Sequence, residues 1–195
     1  MLAFSDLQAG IVADLVRAGV DVHVFNQRDI AGILAMIRTL GALVGAAEPA
    51  EVLAHGLERR LAEMAATSRP SPRPKVYFEE WDDPLISGIG WVSELIEIAG
   101  GEDVFPELRH RQAAKDRIVS AEAVREATPD VILASWCGKK VVPARIRARD
   151  CWNEIPAVRD DCIVEIKSPI ILQPGPAALT DGLDAIVTAL WGRPK

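Results

Sequence analysis

Short apolar runs of strand length alternate along this chain with longer stretches in which apolar residues recur at helical spacing. Leu2 to Phe4 run into Ser5 and Asp6, and apolar positions 7, 11, 12, 15 and 16 then predict a helix ending near Gly19. Residues 22 to 25, VHVF, predict a second strand that ends at Asn26 and Gln27, and Ile30 to Val44 predict a strongly apolar helix. A helix from Pro49 to about Thr67 follows, with Val52, Leu53, Leu57, Leu61 and Met64 expected on its packed side and Glu51, Glu58, Arg59, Arg60 and Glu63 on the other. Three prolines in the segment SRPSPRPK stop that helix and mark a boundary.

The alternation then resumes. A strand is predicted at 76 to 79, a helix at 89 to 99 stopped by Gly100 and Gly101, and an irregular charged stretch to Arg117. A helix from Ser120 to about Ala127, a strand at 131 to 135, a helix near 143 to 148, a strand at 162 to 166 and a closing helix after Pro176 complete the pattern. Strand-helix alternation implies parallel pairing and an α/β fold. Two strands are too few to close a core, so the first unit is expected to be incomplete, its edge covered by upstream sequence or by a partner, or left open to association.

Composition narrows the function. At 195 residues the chain is long for one domain and short for two, and 49% hydrophobic with 26% charged residues describes a globular protein. No apolar stretch reaches membrane-spanning length, and a net charge of −6 with scattered basic residues argues against nucleic acid as partner. Cys137, Cys151 and Cys162 form no CxxC, which disfavours a zinc knuckle. The amino terminus carries no export signal, so a chain starting at Met1 is expected in the cytoplasm.

Ligands of parallel α/β sheets bind past the carboxyl ends of the strands. Here those positions are Ser5 and Asp6, Asn26 to Arg28, Glu80 to Asp83, Trp136 to Lys139, and Lys167 to Pro169. No nucleophile-base pair, phosphate loop or HExxH motif appears among them. Trp81 and Trp136 would give a large planar ligand flat apolar walls, which suits binding better than turnover. Plainer roles stand beside these: Asp82-Asp83-Pro84 is also a turn sequence, Trp136 and Trp91 are also core candidates, and Cys137 reads best as a small buried filler. His23 and His55 read as structural or solvated, whereas His110 faces the cleft within a basic loop.

The run VYFEEWDDPLISGIGWVSELIEIAGG, together with PDVILASWCGKK and SPIILQPGP, resembles the second lobe of the cobalamin-binding branch of the solute-binding proteins that serve ABC importers, a family that also captures ferric siderophores and haem. AFSDLQAGIVADLVRAGVDVHVFNQRD resembles the latter part of that family's first lobe. The resemblance implies two Rossmann-like lobes with parallel sheets joined by a long linking helix: a remnant of the first lobe at 1–46, the linking helix at 47–69 and the second lobe at 70–195. It implies an extracytoplasmic, non-enzymatic protein without a cofactor, holding cobalamin or a related corrinoid as transported ligand. Ser5, Asp6, Asn26 and Gln27 would line the first-lobe wall, and Trp81, Asp82, Asp83, Trp136 and Cys137 the second. Glu122 matches the second-lobe glutamate that docks on the importer permease, and its plain alternative is a charge stabilised by the helix dipole.

The family's first strands, with the other docking glutamate, have no counterpart here, and Pro169 stands where a cobalamin binder carries an acidic contact. The alternatives are a ferric siderophore or haem in the same cleft, or a metal-dependent enzyme in which Asp82 and Asp83 hold a divalent ion.

Overall fold

The computed structural model describes residues 1–5 and 8–192. Two short strands, β1 (Leu2–Phe4) and β2 (His23–Phe25), pair in parallel, with helix α1 (Ala9–Arg17) as their crossover. Helices α2 (Ile30–Leu43) and α3 (Ala47–Ala65) follow, the first capped by Asp29, whose carboxylate accepts from the Gly32 amide at 2.6 Å.

The second sheet is built around β3 (Lys75–Asp82), which pairs antiparallel with β4 (Leu85–Ser87). Helix α4 (Gly90–Ile98) and strand β5 (Glu102–Asp103) come next, β5 lying parallel to the start of β3. Then follow α5 (Ala121–Ala127), β6 (Val131–Ala134), α6 (Pro143–Arg147), α7 (Pro156–Arg159), β7 (Ile163–Glu165), α8 (Ser168–Ile171) and α9 (Leu183–Trp191). Strands run in the order β4-β3-β6-β7, and the β3-β6 and β6-β7 pairs are parallel.

Successive residues of β3 point to opposite faces and so feed two cores. Val76 and Phe78 join a cluster with α4 and α9, while Tyr77 packs with Ile132, Trp136, Trp152 and Ile163. The first cluster also takes in Ile33, Leu34 and Ile37 of α2 and Leu57 and Leu61 of α3, so an unbroken apolar core runs from these helices into the second sheet. Trp91 is in this cluster, and its Nε1 donates to the Ile171 carbonyl at 2.8 Å, which gives it the core role.

Several expectations change. The packed face of α3 is Ala50, Ala54, Leu57 and Leu61, whereas Val52 and Leu53 are 69% and 44% exposed. The alanines give a weak apolar signal because they are small, and smallness is what the site needs: a side-chain carbon on Gly41 of α2 would overlap the Ala50 methyl and come within 2.9 Å of the Ala46 carbonyl. Strand β3 is twice its expected length and carries Trp81 and Asp82 inside a hairpin rather than in a loop leading to a helix. No residue of α1 is buried, and Leu2, Ile11, Val16 and Val24 leave an apolar surface around the two-stranded sheet.

Candidate functional site

The carboxyl ends of β1 and β2 face the second lobe across a cavity of about 430 Å3, where Phe4, Ser5 and Arg28 meet Glu80, Lys115 and Arg117 over a floor that includes Trp91 and Leu172. Ser5 is buried with φ of 73°, an uncommon conformation for a residue with a side chain, and its amide donates to Phe25 O at 2.8 Å. The Arg28 guanidinium lies 5.5 Å from the centre of the Phe4 ring.

Opposite them, a bulge between Glu79 and Trp81 separates Glu79 and Glu80 onto different partners. Glu80 takes a two-pronged hydrogen bond from the fully buried Arg117, at 2.7 and 3.0 Å, and Arg117 also donates to the Ser87 carbonyl. Glu79, at 0% exposure, accepts from Arg149 at 2.5 and 2.9 Å and from Trp136 Nε1 at 3.0 Å.

Beyond the ends of β6 and β7 lies a second cavity, of about 320 Å3, lined by Trp136, Lys139, Lys140, Glu165, Lys167 and Pro169. Lys139 forms an ion pair with Asp82, and Arg145 reaches the other Asp82 oxygen at 3.2 Å. Burial pushes the Asp82 carboxyl up, but hydrogen bonding and charge from Lys139, with help from Arg145, outweigh it and leave its pKa lowered. A lowered pKa contributes stability that is present above the ordinary aspartate range, about 3.9, and is lost as the pH falls through the folded value. Asp82→Asn is therefore expected to lower the melting temperature at pH 6, with variant and wild type starting to converge only as the pH falls below about 4; a pH-independent difference in the melts would count against this pairing. Lys167, 2.7 Å from Glu165, is the leading cause of a lowered pKa there.

The expected site residues divide. Ser5 lies in the inter-lobe cavity, while Asp6 lies outside the described residues. Asn26 is exposed, and Gln27 is turned to a separate apolar groove, where its Nε2 donates to Pro174 O at 3.3 Å and so ties the first lobe to the second. Trp81 is half-buried and donates from Nε1 to Asp83 O at 2.9 Å, and Asp83 itself is exposed.

Trp136 is a correction: at 1% exposure it packs beneath the lobe edge, because its indole nitrogen is needed to satisfy the buried Glu79, and only its margin reaches a cavity. Cys137 is exposed rather than a buried filler. Among the described residues no group of three or more His, Cys, Asp or Glu is arranged to hold a metal ion, and Asp82 is already matched by two cations. Glu122 is exposed in the first turn of α5, 3.4 Å from Arg125.

His110 lines a smaller polar cavity with Arg28, Asp29, Glu94 and Arg109, rather than the one holding Ser5. There Glu94 accepts from the Ile30 amide at 2.7 Å, and burial raises its pKa. The strand-end rule pointed at Arg28, Glu80, Lys139 and Lys167, but their role needed the fold, because which charges pair and which stay open is a tertiary fact. Arg117 had no sequence signal: it sits in a charged run that reads as solvated.

A sequence profile described as periplasmic binding protein matches residues 2–170. No curated protein matches the chain. Among solved structures it is similar to an ABC transporter substrate-binding protein from Listeria monocytogenes, at 18% identity and a TM-score of 0.81 over 98% of this chain and 76% of that one. The periplasmic haem-binding protein RhuT from a Roseiflexus species is 23% identical, with a TM-score of 0.73 over 92% and 71%. The periplasmic vitamin B12 binding protein BtuF of Vibrio cholerae is 21% identical, with a TM-score of 0.69 over 97% and 73%. Likeness at these identities shows the shared fold.

Proposed function

The chain belongs to the periplasmic binding protein family, and from that premise we propose that it captures a bulky metal chelate, of the corrinoid, haem or ferric-siderophore kind, in the cleft at its strand ends and presents it to an ABC importer. The family works outside the cytoplasm as a carrier and not as an enzyme, with the ligand as cargo rather than cofactor. The observation that supports the reading most directly is the cavity between Ser5 and Arg28 on one side and Glu80, Lys115 and Arg117 on the other, built from strand ends of both sheets. It offers concave, mixed apolar and charged walls, with Glu80 already spent on Arg117. The exposed Glu122 is the proposed contact to the permease on the second lobe.

The corrinoid form of the reading rests on Trp81, whose half-buried ring, with the Lys139 ammonium 3.9 Å from its centre, is the remaining part of the expected aromatic wall. Calorimetric titration with cyanocobalamin, haemin and a ferric siderophore tests both levels. Saturable one-to-one binding of any of the three supports the carrier function, and binding of cyanocobalamin reduced about tenfold in Trp81→Ala supports the corrinoid. A protein that binds none of them is not a carrier of this class.

A further inference from the structure

We propose that the cargo is anionic and is recognised through at least two carboxylates by Lys139, Lys140 and Lys167, with Lys139 acting as the selecting residue; the inference deepens the carrier reading and rests on it. Three lysines and one glutamate line the cavity beyond β6 and β7, a surplus of two positive charges. The glutamate, Glu165, is taken by Lys167 at 2.7 Å. Lys140 makes no hydrogen bond or ion pair among the described residues and acts on Glu165 only through its charge, behind Lys167. The two acids near the cavity are thus accounted for: Asp82 by Lys139 and Arg145, and Glu165 by Lys167. Lysines gathered in a concave site raise the local potential and attract anions.

Lys139 does more than add charge. Its Nζ lies 3.9 Å from the centre of the Trp81 ring and 5.1 Å from that of Trp136, while also pairing with Asp82. Arg145 stands 5.6 Å from the Trp136 ring. The ammonium is held by a carboxylate and a ring together, and it covers the Trp81 surface that an uncharged planar ligand would stack on. Such a ligand has to displace a cation from both partners. A carboxylate does not, because an ammonium has three donors and Asp82 leaves some of them available. The same group therefore rejects a neutral face and accepts an anionic edge.

The test uses a matched pair of probes, haemin and its dimethyl ester, which differ in the two propionate charges. Ferric citrate and ferrichrome serve as charged and uncharged siderophore counterparts, and cyanocobalamin as the uncharged corrinoid. The wild type is expected to bind haemin or ferric citrate at least about tenfold more tightly than the uncharged member of the same pair, with affinity falling as salt rises. Whichever pair shows the difference identifies porphyrin or siderophore as the source of the carboxylates. Lys140→Gln, at a side chain with no hydrogen bond or ion pair to lose, should weaken the anionic probe about tenfold with little change in melting temperature. Lys139→Met should weaken the anionic probe while improving the uncharged one, by uncovering Trp81. Equal binding of acid and ester, tight binding of cyanocobalamin alone, or indifference to Lys140→Gln overturns the charge selection and leaves the carrier function standing. Absence of binding by every probe overturns both.

Discussion

Arg149→Leu is expected to be among the most destabilising single substitutions in the second lobe, at about 3–5 kcal/mol, because it strands the Glu79 carboxylate at 0% exposure with its charge uncompensated. For a chain of this length each kcal/mol moves the melting temperature by roughly 2–4 °C, so a fall of about 10 °C should be seen. The double variant Glu79→Gln with Arg149→Leu should recover much of the loss, since the cost lies in the unpaired charge and not in the missing contact. Trp136 supplies an independent readout. Its Nε1 donates to the same carboxylate, so its near-ultraviolet dichroism should change in Arg149→Leu under native conditions. Urea unfolding of the wild type and the two variants decides the matter: an Arg149→Leu variant within about 1 kcal/mol of wild type would mean that water or Trp136 alone satisfies Glu79.

This buried pair also explains the limit of what the sequence could convey. The longer helices and strand β6 were legible because their apolar periods are local: α2, α4, α5 and β6 lie within a residue or two of the expected spans, whereas the short strands β4 and β5 were not legible at all. The extension of β3 through Trp81 and Asp82 was not, because EEWDD has polar residues on both faces of the strand and alternation fails as a guide where one face buries charge. Glu79 is inside the molecule only because Arg149, 70 residues further on, comes to it. The site followed the same division. Strand-end positions were readable, and Ser5 fell in the cleft, yet Trp136 turned inward and Asp82 was matched by Lys139 and Arg145. Whether a strand-end residue faces ligand or core depends on what its neighbours leave unsatisfied, and no window of sequence contains those neighbours.

The second large effect is expected at Gly90, where the two lobes touch through backbone. Trp91 N donates to Arg28 O at 3.0 Å, and the first turn of α4 lies so close to the loop after β2 that a side-chain carbon on Gly90 would fall within 2.7 Å of Arg109 O and closer still to Arg28 O. Both obstacles are main-chain oxygens, which cannot rotate away as a flexible side chain would. Gly90→Ala must therefore move α4 from the Arg28 loop or push out the loop holding Arg109. Overpacking of this kind costs about 1–3 kcal/mol. The functional loss should exceed the loss of stability, because Arg28 and Trp91 both line the inter-lobe cavity and the shift opens it between them. A displacement of order 1 Å is enough to cost about a hundredfold where several groups must converge on one ligand. Titration of Gly90→Ala at a temperature where it is fully folded separates the two effects. Wild-type affinity in a folded variant would show that the lobes hold their ligand without this contact, whereas lost affinity with a modest fall in melting temperature would place the close approach of Gly90 to Arg28 among the requirements for binding.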